Sequence, residues 1–112
     1  MDVQWKVWLE FNEKKIFGRG PSLLLKKIDE LGSLRKAAQD INMSYSKAWN
    51  LVAKLEEAIK EAVVEKRIGG SDGGGSKLTD KGRLLVEKYD EFEKMVEQSV
   101  KDLYESKFSE FL

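Results

Sequence analysis

Two capped helices joined by a two-residue turn, a strand–glycine-rich loop–strand unit directly after them, and an unbroken apolar seam near the C-terminus predict a mainly α (α+β) fold. The architecture expected is a winged helix-turn-helix with an N-terminal β-hairpin and a long C-terminal dimerisation helix. Residues 1–79 would form the winged unit and residues 80–112 the pairing helix.

The elements follow in chain order. Val3, Trp5, Val7, Leu9 and Phe11 recur at every second residue, the period of a half-buried strand. Asn12–Lys14 suit a turn, and Lys15–Phe17 a short return strand. Gly18, Gly20 and Pro21 punctuate; Ser22 then reads as an N-cap, with Leu24, Ile28 and Leu31 at helical spacing and Gly32 as a left-handed C-cap. Ser33 caps a second, short helix through Asp40, with Leu34, Ala37, Ala38 and Ile41 inward. Asn42 and Met43 make the turn, and Ser44 caps a third helix whose core stripe is Ala48, Val52, Leu55 and Ile59, widened by Trp49 and Leu51.

Val63–Ile68 reads as a strand, and Lys77–Leu78 as a short strand pairing back. The stretch between them, residues 69–76, holds five of the nine glycines. It departs from the phosphate-loop pattern G-x-x-x-x-G-K-[ST], because Ser76 and Lys77 stand in the reverse order. A wing tip between antiparallel strands fits better than an interdomain linker, which would leave both short strands unpaired. Thr79 caps the last helix, with Asp80 in its first turn. Leu85, Tyr89, Phe92, Val96, Val100 and Leu103, at steps of four, three, four, four and three, form its seam. A helix from 80 to about 107 would be roughly 40 Å long, more than its own domain can cover, so an identical copy is the expected partner.

Composition narrows the chemistry. The chain has no Cys and no His, which removes disulfides, the usual zinc sites and Cys–His or Ser–His–Asp catalysis together. No metal site, no cofactor and no enzymatic activity are expected. No apolar run approaches the ~20 residues of a membrane span, so a soluble, cytoplasmic chain is expected. Net charge is zero, but residues 1–79 hold 14 Lys/Arg against 11 Asp/Glu and residues 80–112 hold 6 against 9. That split, +3 and −3, suits a basic reading head on an acidic stalk.

The N-terminal half of the third helix carries Ser44, Tyr45, Ser46, Lys47 and Asn50, all hydrogen-bond donors, where a helix-turn-helix presents its second helix to base edges in the major groove. Asn suits adenine, and Lys suits guanine or a phosphate. Ser33, Lys54, Arg67, Ser71 and Lys77 complete the expected DNA-contacting set, the last three in the wing, where Lys66 at its base is likewise able to contact phosphates. A winged-helix module that recruits a protein partner through its apolar terminal helix is the alternative, which the neutral net charge favours.

Gly32-Ser33-Leu34, Ala37-Ala38, Met43-Ser44-Tyr45-Ser46-Lys47-Ala48-Trp49, Val64-Glu65-Lys66-Arg67, Gly69-Gly70 with Gly73-Gly74-Gly75, and Leu78-Thr79 with Gly82 together resemble the N-terminal domain of the ModE-type molybdate-dependent transcriptional regulators. The resemblance runs from about residue 5 to residue 107; the Gly-Ser and Leu-Thr pieces are shared with the wider LysR-type group. It implies a dimeric winged helix-turn-helix on a partly palindromic double-stranded operator, with Ser44, Tyr45, Ser46, Lys47 and Asn50 at recognition positions and Arg67 and Ser71 in the wing. Full-length members carry a C-terminal molybdate-binding module, for which residues 1–112 leave no segment. The expectation is therefore regulation without an effector, or through a separate effector-sensing chain.

Overall fold

The computed structural model describes residues 1–67 and 75–112. Its order is β1 (Leu9–Phe11), β2 (Lys14–Phe17), α1 (Arg19–Leu31), α2 (Leu34–Asp40), α3 (Tyr45–Ile59), β3 (Val64–Arg67), β4 (Gly75–Leu78) and α4 (Asp80–Phe108), closed by a single 3-10 turn at Ser109–Phe111. This is the winged helix-turn-helix with an N-terminal hairpin and a long C-terminal helix. The strands form two separate antiparallel pairs, β1–β2 and β3–β4.

Local chemistry accounts for most boundaries. Asn12 and Glu13 have φ of 50° and 64°, the doubly left-handed pair of a tight hairpin turn, and Phe11 faces Lys14 across it. Gly32 ends α1 in the left-handed region (φ 71°), its N–H donating to the Ile28 carbonyl at 2.8 Å. The Ser33, Ser44 and Thr79 hydroxyls each accept an N–H from three residues on, those of Lys36, Lys47 and Gly82, all at 3.1 Å. Asn42, at φ 56°, absorbs the sharp turn between α2 and α3.

Two expectations are corrected. Ser22 does not cap α1: the helix starts three residues earlier, after Gly18, and Ser22 is buried within it. Pro21 is tolerated there because first-turn N–H groups have no helical partner. The strand expected from Val3 is paired only from Leu9. Residues 2–8 still alternate, Val3, Trp5 and Val7 half-buried and their neighbours exposed, yet they belong to neither strand pair. They run along α4 instead: the Val7 carbonyl accepts from the Tyr89 hydroxyl at 2.9 Å, and Lys101 sits over the Trp5 ring at 5.9 Å.

The core gathers Phe17, Leu24, Leu25, Ile28, Ala37, Ala38, Ala48, Val52, Leu55, Val63, Leu78 and Tyr89. It therefore joins the hairpin, the helix-turn-helix, the wing and the first half of α4. Phe17 meets Tyr89 edge-on, with ring centroids 5.3 Å apart. Burial, reinforced by the neighbouring Glu93 carboxylate, holds the Tyr89 phenol above its ordinary pKa, so it stays a donor. On the surface, Arg19–Glu93, Lys26–Asp90 and Arg83–Asp29 tie α1 to α4, and solvent screening keeps the contribution of such exposed pairs small.

The wing is anchored at both ends of its strands. The Ser76 N–H donates to the Gly32 carbonyl at 2.8 Å, and a Cβ on Gly75 would collide with that same oxygen. The Glu56 carboxylate accepts from the N–H groups of Val63 and Val64 at 2.8 and 3.2 Å, fixing where β3 leaves α3. Gly82, in the first turn of α4, lies against the Val63 carbonyl, where a Cβ would collide with backbone. Alanine normally gains about 1 kcal/mol over glycine inside a helix. Here the clash dominates, and G82A is expected to cost about 1–3 kcal/mol. The melting temperature should fall by roughly 4–8 °C per kcal/mol. An unchanged or higher melting temperature, at equal protein concentration, would show that α4 can move off β3 freely.

Candidate nucleic-acid interface

Successive residues of α3 step by roughly 100° around its axis, which sorts its side chains into four strips. Ala48, Val52 and Leu55 are buried. Ser46, Asn50 and Glu57 face away from the core and are exposed. The flanks between differ: Tyr45, Trp49 and Glu56 look toward the wing, Lys47 and Lys54 toward the N-terminal hairpin.

The surroundings agree. Tyr45, Trp49 and Glu56 line a groove with Val64, Lys66 and Ser76 of the wing. Lys54 and Glu57 line another with Phe11, Asn12, Lys14 and Lys15 of the hairpin. A shallow depression between them is formed by Tyr45, Ser46, Trp49 and Asn50. The outward strip is thus a ridge with the wing on one side and the hairpin tip on the other.

Electrostatics favour an anionic partner on this ridge. Among the described residues, Lys47, Lys54 and Lys66 stand in no ion pair, whereas Lys27 pairs with Asp40 and Lys81 with Glu61. At the N-terminus of α3, where the helix dipole is positive, the Ser44 hydroxyl is engaged in capping. The guanidinium of Arg35, on α2, lies 4.3 Å from the Tyr45 ring centroid and braces it across the turn.

The residues singled out in the sequence are not all brought together. Ser44, Tyr45, Ser46, Lys47, Asn50 and Lys54 share the exposed side of α3. Ser33 stands one helix back, its hydroxyl engaged with Lys36. Lys77 pairs across the wing with Glu65 at 3.4 Å and lines a different groove, with Glu61 and Asp80. Lys66, two residues from Val64 on the same strand face, looks at α3. Arg67 ends β3. Ser71 lies outside the described residues.

Trp49 is a correction. Placed by sequence with the core stripe, it is 56% exposed. One step of roughly 100° from Ala48 carries it off the core strip, onto the flank that lines a groove with Val64, Lys66 and Ser76. The C-terminal seam divides in the same way. Tyr89 is 2% exposed and belongs to the core of its own chain, so it offers a partner nothing, and Leu85 packs against that core. Val96 and Val100 are half-buried, while Phe92 and Leu103 stay exposed. Met95, not picked out from the heptad steps, is as exposed as Leu103.

No group of acidic residues among the described ones is placed to hold a metal ion, and no described helix is long and apolar enough to cross a membrane.

Residues 23–83 match the bacterial regulatory helix-turn-helix protein family of the lysR type. The chain belongs to this family. The matched segment runs from α1 to the first turn of α4, and so contains both the ridge and the wing. Among individual relatives, the DNA-binding transcriptional dual regulator ModE of Escherichia coli K12 is 37% identical over 67 residues, covering 60% of this chain and 26% of that protein. The molybdenum transport protein ModE of Azotobacter vinelandii is 38% identical over 66 residues, covering 59% and 24%. The transcriptional regulator ModE of Haemophilus influenzae is 33% identical over 76 residues, covering 68% and 30%. The ModE resemblance is thereby borne out over 66 to 76 residues, less than the expected stretch from residue 5 to 107, and the chain spans about a quarter to a third of those proteins' length. ArgP from Mycobacterium tuberculosis shares the fold, with a TM-score of 0.54 at 20% identity over 76% of this chain and 30% of that one.

Proposed function

We propose that the chain is a sequence-specific, double-stranded DNA-binding transcriptional regulator that acts as a homodimer in the cytoplasm. The observation that carries this is the α3 ridge: exposed Ser46, Asn50 and Lys47 at groove-reading positions, Lys54 and Lys66 on either side with no ion pair among the described residues, and a wing alongside. Asn50 would read adenine through two hydrogen bonds, and the lysines would seat phosphates. The family, regulatory helix-turn-helix proteins by name, and the ModE of Escherichia coli K12, a DNA-binding transcriptional dual regulator by name, support the same use.

Pairing of two copies rests on α4 and the terminal turn. They leave Leu84, Phe92, Met95, Leu103, Phe108, Phe111 and Leu112 between 44% and 66% exposed, while α4 extends the molecule to 62 Å in its longest dimension. An identical seam is the economical cover, and it would present two α3 ridges related by a two-fold axis. The same apolar end also favours the second reading, a partner-recruiting module that never touches DNA.

A gel-shift titration on an operator selected from random duplexes separates them. N50A is expected to relax base preference at one position, changing affinity by about ten-fold or more on the selected site and little on unrelated DNA. K66A should weaken all sequences alike and lower the salt slope by about two, one for each copy of the dimer. K77A should do less, because Glu65 already partners that lysine. No shift with any duplex would favour the module.

A further inference from the structure

Building on the DNA-reading function proposed above, we propose that Trp49 reads a thymine methyl group in the major groove, with Tyr45, braced by Arg35, as the fixed wall beside it. A tryptophan left 56% exposed on a helix whose other face is core forgoes substantial apolar burial. Its position makes that exposure useful. Trp49 lines the depression that holds Ser46 and Asn50 and also the groove reaching Lys66 and Ser76, so it sits where the helix surface turns toward the wing. Tyr45, one helical turn back, is 42% exposed and lines both of the same hollows.

The chemistry of duplex DNA leaves few matches for such a ring. Bases in a duplex are stacked and offer no π-face, and phosphates and sugars at the groove edge are polar. The C5-methyl of thymine is the one apolar group that base edges present in the major groove. An aromatic edge set among hydrogen-bond donors would favour thymine over cytosine at one position, beside the adenine read by Asn50. A second copy of the chain is a poor occupant, since it would bring its own Lys47 and Lys66 against these. Arg35 matters because its guanidinium, 4.3 Å over the Tyr45 ring, ties that ring to α2 and narrows the space left for the methyl to the Trp49 side.

Deoxyuridine removes the methyl and nothing else. With a site selected from random duplexes, each thymine of a half-site is replaced in turn by deoxyuridine and affinities are measured. At one position the unsubstituted protein is expected to lose about four-fold, the worth of one buried methyl, and about sixteen-fold when both half-sites are changed. W49A should bind the selected site more weakly and ignore that replacement. W49Q, which keeps the helix and removes the apolar ring, should ignore it equally, and affinity for unrelated DNA with both variants verifies that they are folded. Indifference of the unsubstituted protein to every deoxyuridine overturns the role of Trp49 while leaving DNA reading intact, as does a penalty that persists in both variants. Failure to enrich any site overturns the DNA-reading proposal itself.

Discussion

Raising the salt concentration from 50 to 200 mM should weaken binding to the selected operator by about three to five decades. Each copy brings Lys47, Lys54 and Lys66 to the ridge with no carboxylate partner among the described residues, so two copies bring six cations. The α3 N-termini and the hairpin lysines Lys14 and Lys15 add further candidates for phosphate. Six to ten neutralised phosphates give a log–log slope of roughly −5 to −9, because each releases close to one condensed cation. Zero net charge does not oppose this. The relevant cations are local, and the acidic excess of residues 80–112 is in part spent on α1, through Glu93 and Asp90. A slope near −1 or −2 would mean that the ridge does not lie along a nucleic-acid backbone.

F17A should cost about 3–5 kcal/mol, a large share of the roughly 5–15 kcal/mol that holds a domain of this size together. Phe17 is fully buried at the end of β2 and meets Tyr89 at 86° between ring planes. Removing the ring leaves a void between the hairpin, α1 and α4, and strips the edge-on contact worth about 1 kcal/mol beyond area burial. Three separate elements line the void, each tied elsewhere: α1 to the wing through Gly32, α4 to β3 through Gly82, and β2 to the hairpin turn. Collapse is therefore limited, and the upper half of the range applies. Urea denaturation should show a lower midpoint with the slope preserved. F17L, which refills most of the space, should recover more than half of the loss. A cost below about 1 kcal/mol for F17A would mean that the hairpin is dispensable to the core.

What the sequence revealed follows from how local each signal is. Ser33, Ser44 and Thr79 act as caps through bonds to residues three positions on, so their spacing alone located three helix starts. Ser22 has the same chemistry, but Gly18 lets the helix begin sooner, and the hydroxyl is buried. The alternation from Val3 to Leu9 was legible as extended, one-side-buried chain. Its lack of a partner strand was not, because α4 supplies the apolar surface that an adjoining strand would otherwise provide.

In the candidate site, Ser46, Lys47 and Asn50 were readable from helical position alone. Three other features depended on contacts distant in sequence. Trp49 stands on the flank of α3 that meets Val64, Lys66 and Ser76, Lys66 faces α3 while Lys77 pairs with Glu65, and Tyr89 leaves the seam for Phe17. Gly75 and Gly82 looked like loop and helix glycines; only the backbone carbonyls of Gly32 and Val63 against them give their reason.

The central claim is that the two α3 ridges of a dimer read base sequence, and selection of duplexes from a random pool at about 150 mM salt tests it most directly. The expected result is an enriched motif with two-fold symmetry, its half-sites about one helical turn, 10–10.5 base pairs, apart from centre to centre, and containing an adenine that N50A no longer requires. Recovery of a pool indistinguishable from the input would contradict it.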